Sequence, residues 1–290
     1  LNQRLDYRGY LHECNSPTYS SISLQDISML SELTGDCETK ELALRIEQRI
    51  WQELLLHFHP AIRQQAGPFS RAYLDDTAGQ GTMVTFSYYA AFGEISPYQP
   101  MNMLFPHPLE DTFAHNVWDF QYRSLIKIMG CTYHPPLELA EECLNRRQLP
   151  CQVEGSHEFM GISNSPGGQS NVSLYMEEKW GLGLFGSRTW QGQTTPVHLI
   201  YRRRETENGS TMREHMEAVR SAYTRMTVKG ECDQWKDHMP NPDRDLELDA
   251  GAAFTVSHQG TMILGYVPCG AQDDRTATIR TAFVLPSFHS

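Results

Sequence analysis

No Cys-x-x-Cys pair occurs in this 290-residue chain, and no cysteine and histidine stand at zinc-site spacing. That removes the common structural zinc folds and thioredoxin-type redox chemistry. Seven cysteines (Cys14, Cys37, Cys131, Cys143, Cys151, Cys232 and Cys269) are too few for a disulfide-built framework, and their odd number leaves at least one unpaired within a monomer. A basic excess is missing too. Lys and Arg number 24 against 35 Asp and Glu, a net charge of −11, the reverse of a nucleic-acid binder. No apolar run approaches the ~20 residues of a membrane span. The chain starts at Leu1 with no charged segment followed by an apolar one, so no signal peptide is visible and the compartment stays open. No repeat of fixed period is present. Disorder is excluded by five Trp, thirteen Tyr and twelve Phe spread along the chain. The expectation is a soluble, acidic, aromatic-rich globular protein with no nucleic-acid or membrane partner, no cofactor and no metal.

What is there divides near residue 150. Ser20 to Leu33 places Ile22, Ile27, Leu30 and Leu33 near one helical face. From Glu38 to Phe58, Leu42, Ile46, Ile50, Leu54 and Phe58 recur every four residues, opposite Glu41, Arg45, Gln48, Arg49 and Gln52. Thr34-Gly35-Asp36 breaks the two helices and His59-Pro60 stops the second, which predicts an antiparallel helical hairpin. The proline-rich middle, from Gly67 to Pro150, reads as long loops with two short helices, Asp119 to Met129 and Leu137 to Arg147. From about Cys151 the period becomes two. Strands are predicted at Asn171–Glu177, Leu182–Thr189, Val197–Arg203, Ala252–Val256, Met262–Val267 and Thr276–Val284, with one interrupting helix, Met212–Met226. Helices first and strands afterwards predict an α+β architecture, divided at 1–150 and 151–290.

Two strings concentrate polar chemistry. Glu13-Cys14-Asn15-Ser16-Pro17-Thr18-Tyr19 opens the first helix; an N-capping turn explains the Asn, Ser and Thr equally well. His57-Phe58-His59-Pro60, then Gly67-Pro68-Phe69-Ser70-Arg71-Ala72-Tyr73-Leu74-Asp75-Asp76, follows the second. In a helical hairpin those two loops share one end, so Asn15 and Tyr19 should approach His59, Arg71 and Tyr73. Glu13, Asp75 and Asp76 add carboxylates, although an exposed acidic turn also accounts for the last two. Weaker signals include Gly181-Leu-Gly-Leu-Phe-Gly186, whose GxGxxG spacing lies in strand-rich sequence and reads as a bulged strand. Arg202-Arg203-Arg204 reads as a solvated strand edge. Trp180 and Trp190 could stack on sugar rings or pack in a core. His57 and His59, two apart, do not face one point on a helix.

The strings ECNSPTY and HP…AGPFSRAY…D, flanking a helical hairpin, resemble heparinase II/III-type polysaccharide lyases. Tyr175 to Gln193 (YMEEKWGLGLFGSRTWQGQ) is similar to the opening of that family's β-region. The resemblance covers roughly the first 80 residues and 150 to 205. It implies a toroid-like (α/α) layer followed by an antiparallel β-sandwich, and cleavage of a uronic-acid polymer by β-elimination. By the same resemblance Asn15 and Arg71 would neutralise the substrate carboxylate. His59 would be the base, with His107, His115 and His134 as alternatives, and Tyr19 or Tyr73 the acid. Glu13, Asp75, Trp180 and Trp190 would bind substrate. A complete toroid has more hairpins, so a preceding segment or a second copy is expected to complete the cleft. The competing readings are a glycoside hydrolase built on Glu13, Asp75 and Asp76, and a non-catalytic carbohydrate-binding or assembly module.

Overall fold

The computed structural model describes residues 2–71, 83–93, 126–158, 169–186, 195–205, 218–229, 251–268 and 278–285. Helices come first: α1 (Asn2–Arg8), α2 (Tyr19–Leu33), α3 (Cys37–Leu56), α4 (Met83–Phe92) and α5 (Leu137–Glu141), the last running into a π-turn at Glu142–Arg146. A two-residue ladder, β1 (Phe58–His59) with β2 (Gln64–Gln65), follows α3. The strands come after: β3 (Cys151–Glu158), β4 (Gln169–Met176), β5 (Trp180–Phe185), β6 (Val197–Arg202), β7 (Val219–Lys229), β8 (Gly251–His258), β9 (Thr261–Pro268) and β10 (Thr278–Val284). All their pairings are antiparallel. Six form one sheet in the order β10-β7-β6-β5-β4-β3, and β8–β9 is a separate hairpin. The architecture is α+β.

α3 forms as the four-residue period predicts. Asp36 caps it by accepting from the Thr39 N–H and hydroxyl at 2.9 and 2.6 Å, and Ile46, Ile50 and Leu54 are buried. Its C-terminal carbonyls are covered by Arg147, which donates to Leu55, Leu56 and Phe58 O at 3.2, 2.8 and 3.0 Å. A cation at the negative end of a helix satisfies orphan carbonyls and opposes the macrodipole.

α2 differs from expectation in its buried face. Leu30 and Leu33 are exposed, whereas Ser20, Ser21, Leu24, Gln25, Ser28 and Ser31 are buried. Small side chains let neighbouring backbones come close, and the hydroxyls find acceptors: Ser21 meets Ser87 Oγ at 2.5 Å and Ser28 donates to Thr132 O at 2.7 Å. The helix expected over Met212–Met226 is β7 from Val219 onward. The Ala218, Ala222, Met226 spacing imitates a helix, but the segment lies between β6 and β10 and is buried throughout 218–226, Arg220 and Arg225 included. A strand covered on both faces loses its alternation. α1, α4 and β3 form where no element was specifically expected, and of the Asp119–Met129 helix only 126–129 lie within the described residues.

The glycines of β5 serve close approach. A Cβ on Gly183 would stand 2.0 Å from the Gly67 carbonyl group, and one on Gly181 would press on His59 at 3.1 Å. β5 pairs regularly with β4 and β6, and the 66–69 loop lies directly across it. Phe69 extends the docking, bonding Thr195 through its carbonyl at 2.9 Å and through its N–H to the Thr195 hydroxyl at 3.2 Å. Gly183→Ala should therefore lose roughly 1–3 kcal/mol or more by overpacking. Urea denaturation is the check: an unchanged midpoint would mean the loop does not rest on this strand.

Candidate functional site

The loop between α1 and α2 is organised from below by a carboxylate. Glu53, on the buried face of α3, accepts the Leu11 N–H at 2.8 Å and the Asn15 N–H at 2.6 Å. Asn15 sits in the left-handed region at φ 49°, which Asn tolerates better than most residues. Its amide donates to Ala66 O and Pro68 O at 2.7 and 3.0 Å, and its Oδ1 accepts from Gln65 Nε2 at 2.8 Å. Ser70 adds a hydroxyl bond to Cys14 O at 2.7 Å. Segment 13–16 is thus laced to segment 65–71.

That lacing delivers a surface cluster. Arg71 Nη1 donates to Glu13 Oε1 at 2.8 Å, with side chains 22% and 24% exposed, so solvent and a ligand reach both. The Arg71 guanidinium lies 4.4 Å from the centre of the Tyr19 ring, a cation–π contact. Tyr19 N–H donates to Ser16 Oγ at 3.1 Å, which starts α2 and fixes where its phenol projects.

Of the residues singled out from sequence, the structure brings Glu13, Tyr19 and Arg71 together. Asn15 adjoins them but points inward, 1% exposed, with its amide fully engaged, so it positions the loop and has no donor left for a substrate carboxylate. His59 is also turned away. Its Nδ1 accepts the Ile62 N–H at 3.2 Å, which leaves Nε2 to donate to Trp180 O at 3.1 Å, and burial lowers its pKa to about 4. An imidazole bonded at both nitrogens is a pin between the β1–β2 turn and β5 and is not placed to act as the base. Trp180 is half-buried, its ring 5.7 Å from that of Tyr175 and pressed on Gly260. His134 pairs with the buried Glu47 at 3.2 Å, further along α3. Tyr73, Asp75, Asp76, His107, His115 and Trp190 lie outside the described residues.

Sequence reasoning missed Glu53. Glu53 falls among the apolar positions of α3, and a lone carboxylate inside an apolar period was the available signal. Burial raises its pKa to about 7, against the opposing pull of its two N–H donors. Among the described residues no group of three His, Cys, Asp or Glu could hold a metal ion, and no helix is long and apolar enough to cross a membrane.

Residues 3–129 match a family model described as a domain of unknown function (DUF8769). The matched span contains Glu13, Asn15, Tyr19, Glu53, His59 and Arg71, and stops before the first strand of the large sheet. No curated protein and no solved structure matches the chain.

Burial holds four imidazoles neutral: the pKa is lowered to about 4 for His57, His59 and His157 and to about 3 for His198. The unfolded chain therefore binds more protons between pH 6.5 and 4, and stability falls as pH falls through that window. Glu53, raised from 4.5 to about 7, acts in the opposite sense, since folding favours its protonated form there. Four groups outweigh one, so the net stability falls with pH near pH 5. Thermal melts from pH 7 to pH 4 should show a steep fall below pH 6; a flat profile would mean these imidazoles are hydrated.

Proposed function

We propose that the protein cleaves an acidic polysaccharide by β-elimination, on a frame that we read as a toroid-like helical layer backed by a β-sandwich. The observation that carries this reading is the Arg71 guanidinium, held by Glu13 across the face of Tyr19 at a partly open surface. The hairpin β8–β9, which joins β5 through the Thr255 hydroxyl on Phe185 O at 2.7 Å, supports the sandwich. The C5 proton of a uronate becomes removable only when the neighbouring carboxylate is neutralised, and a planar guanidinium suits a carboxylate. Arg71 takes that role by exchanging Glu13 for the substrate. A base removes the C5 proton, the electron pair forms the C4–C5 double bond, the C4–O bond breaks, and the Tyr19 phenol protonates the departing oxygen. With His59 held at both nitrogens, the base falls to Tyr73, His107 or His115.

Incubation with polygalacturonate, alginate and heparan-type glycans should generate absorbance near 235 nm, the mark of the unsaturated product. Arg71→Ala and Tyr19→Phe should each lower that rate about 10²-fold or more. His59→Gln should retain activity in its folded fraction. New reducing ends without absorbance would move the reading to hydrolysis by Glu13 with Asp75 or Asp76. Binding with neither signal would leave a carbohydrate-binding module.

A further inference from the structure

A cavity bordered by Glu53 lies where the helical layer meets the sheets. Its volume is about 690 Å³, and α1, α3, β3, β4, β5 and β8 contribute its walls. That is within the ~300–1,000 Å³ typical of ligand sites. None of Glu13, Tyr19 or Arg71 borders it.

Uncommitted polarity sets this cavity apart. Tyr10 is 7% exposed, and its hydroxyl, over the backbone of Gly155, has no hydrogen-bond partner among the described residues. The Nε of Arg8 is likewise buried without a partner, while Nη1 of the same side chain is anchored on Gln169 Oε1 at 2.9 Å. Arg49 is fixed by its Nη2 on Leu5 O and Gly9 O at 3.0 and 3.3 Å. Gln52, Ser173 and Ser257 also border the space. Buried donors and acceptors left unpaired cost stability, so an apolar ligand would be penalised here and a hydroxyl-rich one favoured. The lining carries two guanidinium groups, Arg8 and Arg49, and two carboxylates, Glu53 and Glu154. The guanidiniums, both from the helical side, offer partners for a ligand carboxylate, and Glu154 is engaged by Gln152 Nε2 at 2.7 Å. The half-buried Leu56 offers an apolar face for the C–H side of a sugar ring. Glu53 borders the space as well, and because burial raises its pKa to about 7, its repulsion of an anion eases as pH falls below that value.

We propose that this cavity is a binding subsite for a carboxylate-bearing oligosaccharide, in which Arg8 and Arg49 meet the carboxylate and Tyr10, Gln52, Ser173 and Ser257 meet the hydroxyls. The sugar class rests on the glycan reading above; the site itself does not use the Arg71 cluster. It holds the chain away from the place of cleavage and so favours polymers over short substrates.

Isothermal titration with tri-galacturonate, maltotriose as the neutral control, and free glucuronate tests it on the full chain. Wild-type protein should take up tri-galacturonate at two sites, of which the one in this cavity persists in Arg71→Ala. Arg8→Met, Tyr10→Phe and Ser257→Leu, the last filling the cavity from the hairpin side, should weaken binding tenfold or more with unchanged near-ultraviolet circular dichroism. Equal binding of maltotriose would overturn the charge preference. Wild-type affinity in Arg8→Met and Ser257→Leu, loss of all binding in Arg71→Ala, or no binding of any probe would overturn the site. Absent 235 nm absorbance with binding retained would sink the cleavage reading and leave this one standing.

Discussion

A buried carboxylate governs the geometry of this protein. Glu53 gives one oxygen to Leu11 and the other to Asn15, and each bond is charge-assisted and sheltered. The loop between α1 and α2 has no apolar period of its own to hold it. With its amides seated on Glu53, Asn15 enters the left-handed region and turns its side chain onto Ala66 and Pro68, and the loop that carries Arg71 takes its place. A second buried carboxylate on the same helix repeats the device: Glu47 accepts the His134 N–H at 2.5 Å and fixes the segment ahead of α5. α3 is therefore a spine whose apolar residues pack and whose two glutamates hold irregular chain in register.

Much of the frame was legible because periodicity reports one-sided burial. The α3 period, the Asp36 break and most of the strands after Cys151 reflect elements with one wet face. The failures share a cause. β7 is covered on both faces and lost its alternation; α2 turns serines inward, which a hydropathy pattern reads as solvent. α4, buried over most of its length, lacks a polar side that would show a helical period. Chemistry was legible only where it followed chain geometry. Glu13, Tyr19 and Arg71 converge because a helical hairpin brings its ends together, whereas the inward turn of Asn15 and the two bonds of His59 depend on long-range partners that no local string contains.

The histidines show how residue type misleads when environment is unknown. An imidazole beside a helix end invites a catalytic role, yet burial keeps both His57 and His59 neutral, His57 with its Nδ1 donating to Glu53 O at 2.9 Å. Burial removes the proton affinity near neutrality that general-base work requires, and in His59 hydrogen bonding at both nitrogens also occupies the lone pair. The partly open Arg71 cluster keeps what those histidines lack, which is access.

The strand order carries a kinetic consequence. From β3 to β7 each strand pairs with its predecessor, so the sheet can grow by short closures. β10 instead returns to β7, pairing Thr278 with Lys229 across everything that includes the β8–β9 hairpin. Loop-closure entropy rises with the length spanned, and non-local pairings are the slow ones. β10 is thus the costliest strand to close during folding. Until it docks, β7 presents an open edge with unpaired N–H and C=O groups, where a neighbouring chain can add a strand of its own.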